Sequence, residues 1–139
     1  MEDRYLFKAK RIDNGKWVIG SLIACEDGTY KIATSCLEGR ADEAILVCAY
    51  EVDRDTICQC TGLEDKNGKL VWENDIIKDE NDNFYKAFWQ DNYYQFSWVC
   101  IKSDKLPIGA KWNLWNIKSF EIEVIGNIFD NPELLESEE

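Results

Sequence analysis

Thr61-Gly-Leu-Glu-Asp-Lys-Asn-Gly-Lys-Leu-Val-Trp-Glu-Asn-Asp-Ile-Ile77 reverses direction twice within seventeen residues. Asn67-Gly68 is a pair that tolerates positive φ at both central turn positions, as a type I′ hairpin turn demands. Leu70-Val71-Trp72 returns as a strand of β-branched and aromatic residues. Glu73-Asn74-Asp75 forms a second turn and Ile76-Ile77 opens another strand. Two reversals this close leave no room for a helix of ordinary length. The stretch therefore points to a mainly β chain.

The same chemistry recurs on either side. Strands are expected at Tyr5–Ile12, Lys16–Cys25, Thr29–Ala33, Thr56–Thr61, Phe84–Trp89, Tyr93–Lys102 and Glu121–Ile128, with turns at Asp13-Asn14-Gly15, Asp27-Gly28 and Gln90-Asp91-Asn92. The second strand is apolar on both faces, which predicts a central or sandwiched position. Gly20 within it marks a bulge or a close backbone approach. Residues 35–43 read as a polar loop or short helical turn, and Ile45-Leu46-Val47-Cys48 as a buried strand. Trp112 and Trp115 suit either a helical turn or a bent strand. Asp130 or Asn131 as a cap, followed by Pro132 and Glu133, predicts a short C-terminal helical turn. Closely spaced hairpins predict a sandwich or an SH3-like barrel arrangement. We expect one domain over 1–130, with subdomains 1–55 and 56–130 as an alternative, and an acidic tail over 131–139.

The 139 residues carry a formal net charge of −11 and no histidine. Asp130, Glu133, Glu136, Glu138 and Glu139 contribute −5, which leaves −6 for the first 129 residues. Lys8, Lys10 and Arg11 are the nearest approach to a basic cluster, and binding to a phosphate backbone needs a better one. Nucleic acid is disfavoured as a partner. The opening residues hold no apolar signal segment, and no apolar run approaches a membrane span. These features predict a cytoplasmic protein with no membrane partner. Six cysteines are then expected to be free thiols. Cys58-x-Cys60 puts two sulfurs on one strand face. Without a Cys-x-x-Cys pair or a histidine, buried inert thiols are a better account than zinc.

Six Trp, six Tyr and six Phe are many rings for a chain of this size. They either fill a core or reach an interaction surface. Tyr94, Phe96, Trp98 and Cys100 share one strand face. An aromatic stripe can stack bases, but the acidic surroundings favour packing. Tyr94, Phe96 and Trp98, with Trp112 and Trp115, are the candidate interaction surface. Asp79, Asn81 and Asn83 have the spacing of the first half of a calcium loop. Phe84 stands where the loop needs glycine and Gln90 where it needs a bidentate Glu. A hairpin turn accounts for them better, and no cofactor or metal is expected. Glu73 and Asp75 flank one turn and form the best available carboxylate pair. Carboxylates in turns usually shape them, however, so no catalytic residue is assigned.

Several blocks together resemble the YopX family of phage and prophage proteins. They are Lys8-Ala-Lys-Arg11, Asn14-Gly-Lys-Trp-Val-Ile-Gly-Ser-Leu22, Asp55-Thr-Ile57, Thr61-Gly-Leu63, Asp65-Lys-Asn-Gly-Lys69, Glu73-Asn-Asp-Ile-Ile77, Val124-Ile-Gly-Asn-Ile128 and Asn131-Pro-Glu-Leu-Leu135. Asn74 replaces the family's usual glycine and Cys60 its usual aromatic. The resemblance implies a mainly β fold, a bacterial mobile-element origin and no catalytic residues. Thr61, Gly62, Leu63, Asp65, Asn67, Gly68, Asp75, Gly126 and Asn127 are read as its structural motif. The expected function is that of an accessory protein acting by protein–protein contact, as a homo-oligomer or with a host or phage protein. Alternatives are an acidic mimic of nucleic acid and a single-strand binder.

Overall fold

The computed structural model describes residues 5–35 and 47–135, apart from the side chain of Trp115. The described residues are mainly β: eleven strands with only short 3-10 turns among them. They are β1 (Phe7–Lys10), β2 (Trp17–Ala24), β3 (Tyr30–Ser35), β4 (Val47–Val52), β5 (Cys58–Glu64), β6 (Leu70–Trp72), β7 (Asp75–Lys78), β8 (Phe84–Gln90), β9 (Gln95–Lys102), β10 (Lys111–Asn113) and β11 (Glu123–Asn127). The chain divides into two compact units at Gln59/Cys60, inside β5. Of the expected loop over 35–43, Ser35 ends β3 instead, and residues 36–43 lie outside the described residues, as does the start of the expected Ile45–Cys48 strand.

In the first unit the antiparallel order is β4-β3-β2-β1, followed by the first residues of β5. The two ends of this order meet. Arg11 bridges Val52, the Ile12 amide donates to Glu51 O at 3.0 Å, and the Asp53 amide donates to Lys10 O at 2.8 Å. A 3-10 turn at Arg54–Thr56 precedes β5. This closure and order make an SH3-like barrel. Ala9, Ile32 and Val52 form its buried centre, with Phe7, Val18, Leu22, Tyr30 and Ile57 packed on them.

β2 pairs with β1 through Gly20 and with β3 from Ser21 onward. The strand changes partners at the glycine, where a Cβ would lie 2.1 Å from Ala33 O. Only hydrogen fits there. β2 is central in its sheet but not covered on both sides. Its outward Ile19 and Ile23 stay 47% and 41% exposed. Apolar residues on both faces of a strand do not by themselves bury both faces.

In the second unit β5 runs on to pair with β6, and a five-stranded antiparallel sheet has the order β10-β9-β8-β7-β11. Val71, Ile77, Tyr85, Ala87, Trp98, Cys100 and Ile122 form the core. Around residue 112 the chain is first strand and then turn: β10 ends at Asn113 and a 3-10 turn covers Leu114–Asn116. The C-terminal helical turn is a 3-10 turn at Pro132–Leu135.

Replacing Gly20 with alanine drives a methyl group into backbone that cannot swing away. We expect a loss of about 1–3 kcal/mol in chemical denaturation. Alanine at Gly15, which has no heavy atom within 4 Å of a built Cβ, meets no such clash and loses only what its positive φ costs.

Candidate functional site

The hairpin that opens the sequence argument is built around Asp65. The carboxylate is 6% exposed. Oδ1 accepts the amides of Asn67 and Lys69, both at 2.9 Å, and Oδ2 accepts the Val124 amide at 3.0 Å. The turn is not type I′, because Gly68 has φ +80° while Asn67 is not left-handed. The Asp65 amide donates to Lys69 O and the Gly68 amide to Asp65 O. This is a type I turn closed by a glycine bulge. Burial pushes the Asp65 carboxyl up, but the Val124, Lys69 and Asn67 amides outweigh it and hold the pKa below the usual range.

Asp79 repeats the device. Oδ1 accepts from the Asn81 and Asn83 amides, while Oδ2 accepts from the Asn83 side chain and the Tyr85 hydroxyl. Asp82, with φ +62°, takes the place that Gly68 fills in the other hairpin. The calcium-like spacing is thus the signature of a turn whose first aspartate binds its own backbone. Among the described residues no cluster of three or more metal-ligating side chains forms.

The remaining motif residues also hold backbone. Thr61 Oγ donates to Val71 O at 2.7 Å and accepts the Leu63 amide, and Gly62 has φ +85°. Asn74, at φ +71°, adopts a left-handed backbone that asparagine tolerates. Asp75 is 2% exposed and its Oδ2 accepts the Trp72 amide at 2.8 Å. A carboxylate so enclosed is poorly placed to meet a substrate. Asn131 Oδ1 accepts the Asn127 amide and lies where a Cβ on Gly126 would sit, at 2.4 Å. Asn127 Oδ1 in turn accepts the Phe129 and Asp130 amides.

The aromatic candidates are dispersed. Trp98 is 0% exposed in the core and Cys100 is 1% exposed beside it, so the shared face of β9 points inward and offers no stacking platform. Phe96 is partly buried and packs edge-on against Trp89. Tyr94 precedes the strand, in a left-handed conformation that turns it out to 84% exposure. Trp112 packs edge-on against Tyr85 at 5.7 Å. Trp115 falls in the Leu114–Asn116 turn, its side chain outside the described residues.

Cys25, Cys58, Cys60 and Cys100 are free, and the last three are buried. Cys48 is disulfide-bonded, which corrects the expectation of six free thiols. Burial raises the Cys100 thiol above its ordinary value, as expected of an inert core sulfur. Among the described residues no helix is long and apolar enough to cross a membrane.

Two surface features were not anticipated from the sequence. The outward face of the first unit exposes Ile19 and Ile23 of β2 and Val47 of β4, the last at 66%. In the second unit a hollow of about 490 Å³ is lined by Gln90, Gln95, Asn113 and Asn116, with Tyr93, Lys111 and Trp112. No short motif announces either one. The apolar face is assembled by strand register, and the hollow by three adjacent strands.

Fold and site together define a small, mainly β protein of two antiparallel units, with buried carboxylates holding its turns. The chain belongs to the YopX family: the family model, described as YopX protein, matches residues 6–136. It is also similar to a solved structure, protein EF1440 from Enterococcus faecalis. That likeness has a TM-score of 0.50 and 22% identity, and covers 94% of this chain and 96% of that one. At this identity the likeness concerns the fold. No curated protein matches the sequence.

The depressed Asp65 carboxyl stabilises the fold above the ordinary aspartate range, and that stability is lost as pH falls through its lowered folded value. Replacing Asp65 with alanine leaves three amides without their acceptor, two of them in the turn. We expect a cost of about 2–4 kcal/mol at neutral pH. Asp65→Asn should cost less and flatten the acid limb of a stability–pH curve measured by denaturant titration.

Proposed function

We propose that the protein is a phage- or prophage-encoded accessory factor that acts in the bacterial cytoplasm by protein–protein contact, as a homo-oligomer and without catalysis of its own. The observation that carries this reading is the exposed apolar face of the first unit. Register aligns Ser21 with Ala33 and Ala33 with Ala49, while Ile23 pairs with Lys31 and Lys31 with Glu51. Ile19, Ile23, Val47 and Ala49 therefore lie outward on one sheet, with Lys31 and Glu51 beside them. Exposed aliphatic side chains gathered on one sheet face in this way favour an interaction site. The same face on two copies can pair about a two-fold axis, and adjacent charges of opposite sign can meet across it.

The non-catalytic reading is supported by the fate of the best acid–base pair. Asp75 is nearly fully buried and its Oδ2 accepts the Trp72 amide, so that carboxylate serves its own turn. An acidic mimic of nucleic acid is the second reading. It draws on a hollow of about 260 Å³ where Asp79, Glu80, Asp82, Glu121 and Glu123 stand against Lys66 and Lys78.

Light scattering at rising concentration tests the first reading. The parent chain should exceed the mass of one chain. Ile19→Asp with Ile23→Asp should return it to one chain with an unchanged far-UV spectrum, because each isoleucine contributes about 1.5–3 kcal/mol on burial. A parent that stays monomeric at high concentration overturns the proposal. A mimic would instead capture a basic DNA-binding protein with an affinity that falls steeply with salt. The tail can be tested by truncation after residue 135, which spares Asn127 and Asn131.

A further inference from the structure

We propose that the amide-lined hollow of the second unit is a binding site for a neutral saccharide.

Ser97 is fully buried between the two glutamines. Its hydroxyl donates to Gln90 Oε1 at 2.8 Å and accepts from Gln95 Nε2 at 3.1 Å. Gln95 Nε2 also donates to Asn113 Oδ1. Both amide hydrogens of Gln95 are thereby used. Asn116 Oδ1 accepts the Asn113 backbone amide at 3.1 Å. This chain fixes every carboxamide in one orientation. Gln90, Asn113 and Asn116 each engage their oxygen and keep an NH2 group for a ligand. Gln95 keeps its carbonyl oxygen.

The hollow thus offers three amide donor groups and one amide acceptor, together with Tyr93 as an aromatic neighbour. The amides are held by a buried hydroxyl and by adjacent strands, since Gln90 pairs with Gln95 and Ser97 with Asn113. Little ordering remains for a ligand to impose. Sugar hydroxyls both donate and accept, so they satisfy a mixed amide set, and the C–H face of a pyranose packs on an aromatic ring. At about 490 Å³ the hollow is large enough for one or two sugar rings.

Charge argues against a nucleotide. Lys111 is the single cation of the lining, and residues 60–139 hold sixteen acids against eight bases. A phosphate would meet one ammonium group in an acidic unit, which is a weak site.

The test is a ¹⁵N NMR titration of the full chain that follows the side-chain NH2 resonances. The probes are D-glucose, D-galactose, D-mannose and N-acetyl-D-glucosamine, with uridine and inorganic phosphate as competing chemistries. A saturable shift of the Gln90 and Asn113 NH2 signals with at least one sugar is expected. Asn116→Ala, at an exposed position, should weaken that sugar about tenfold. Gln90→Ala should do the same with its backbone spectrum otherwise preserved, and Lys111→Ala should change little. The proposal is overturned if no sugar moves these signals, if the two amide variants bind as the parent does, or if uridine or phosphate binds in place of the sugars.

Discussion

The carboxylate of Asp65 is the interaction on which the second unit depends. It lies inside a tight turn and also reaches a strand fifty-nine positions later in sequence. A neutral side chain could close the turn, but no common neutral residue accepts three amides at once from one short stem. Ionised and nearly dry, Asp65 gains charge-assisted bonds that offset its desolvation. The Lys66 amide donates to Ile122 O beside it. The hairpin and the approach to β11 are therefore fixed together, and Ile122 enters the core with no exposed surface.

Three hairpins share one construction. In Cys25–Thr29, Asp65–Lys69 and Asp79–Asn83, the first amide bonds the last carbonyl and a left-handed residue stands fourth. Gly28, Gly68 and Asp82 hold that fourth place. An early aspartate accepts backbone amides in each, namely Asp27, Asp65 and Asp79. A chain with so many acids near glycine and asparagine can be mistaken for a cation binder or a charged mimic. Much of that charge organises backbone.

The aromatic residues divide in a comparable way. Trp98, Tyr85 and Trp112 pack the second unit. Tyr93 and Tyr94 stand in solvent at the end of the β8–β9 connection. In the first unit cations lie over rings, with Arg11 at 3.8 Å from the Tyr50 centroid and Lys8 at 4.6 Å from that of Trp17. The aliphatic face of β2 and β4 is left as the apolar surface without cover from described residues of its own unit. Ring content alone therefore does not locate a binding surface.

Local chemistry determined the β class, the hairpin positions and the structural use of Asn74, Gly126 and Asn127. Each depends on backbone conformation or on bonds within a few residues, which short-range sequence records. The family resemblance was legible as well, since its blocks combine turns with the strand residues that flank them. Which face of β9 is the core was not legible, because period-two alternation separates two faces without saying which one meets a partner. The exposure of Ile19 and Ile23 likewise depends on distant residues. So do the bond from Val124 to Asp65 and the four carboxamides gathered across β8, β9 and β10. Those features exist only once the strands are in register, and register is a property of the folded sheet, not of any one strand.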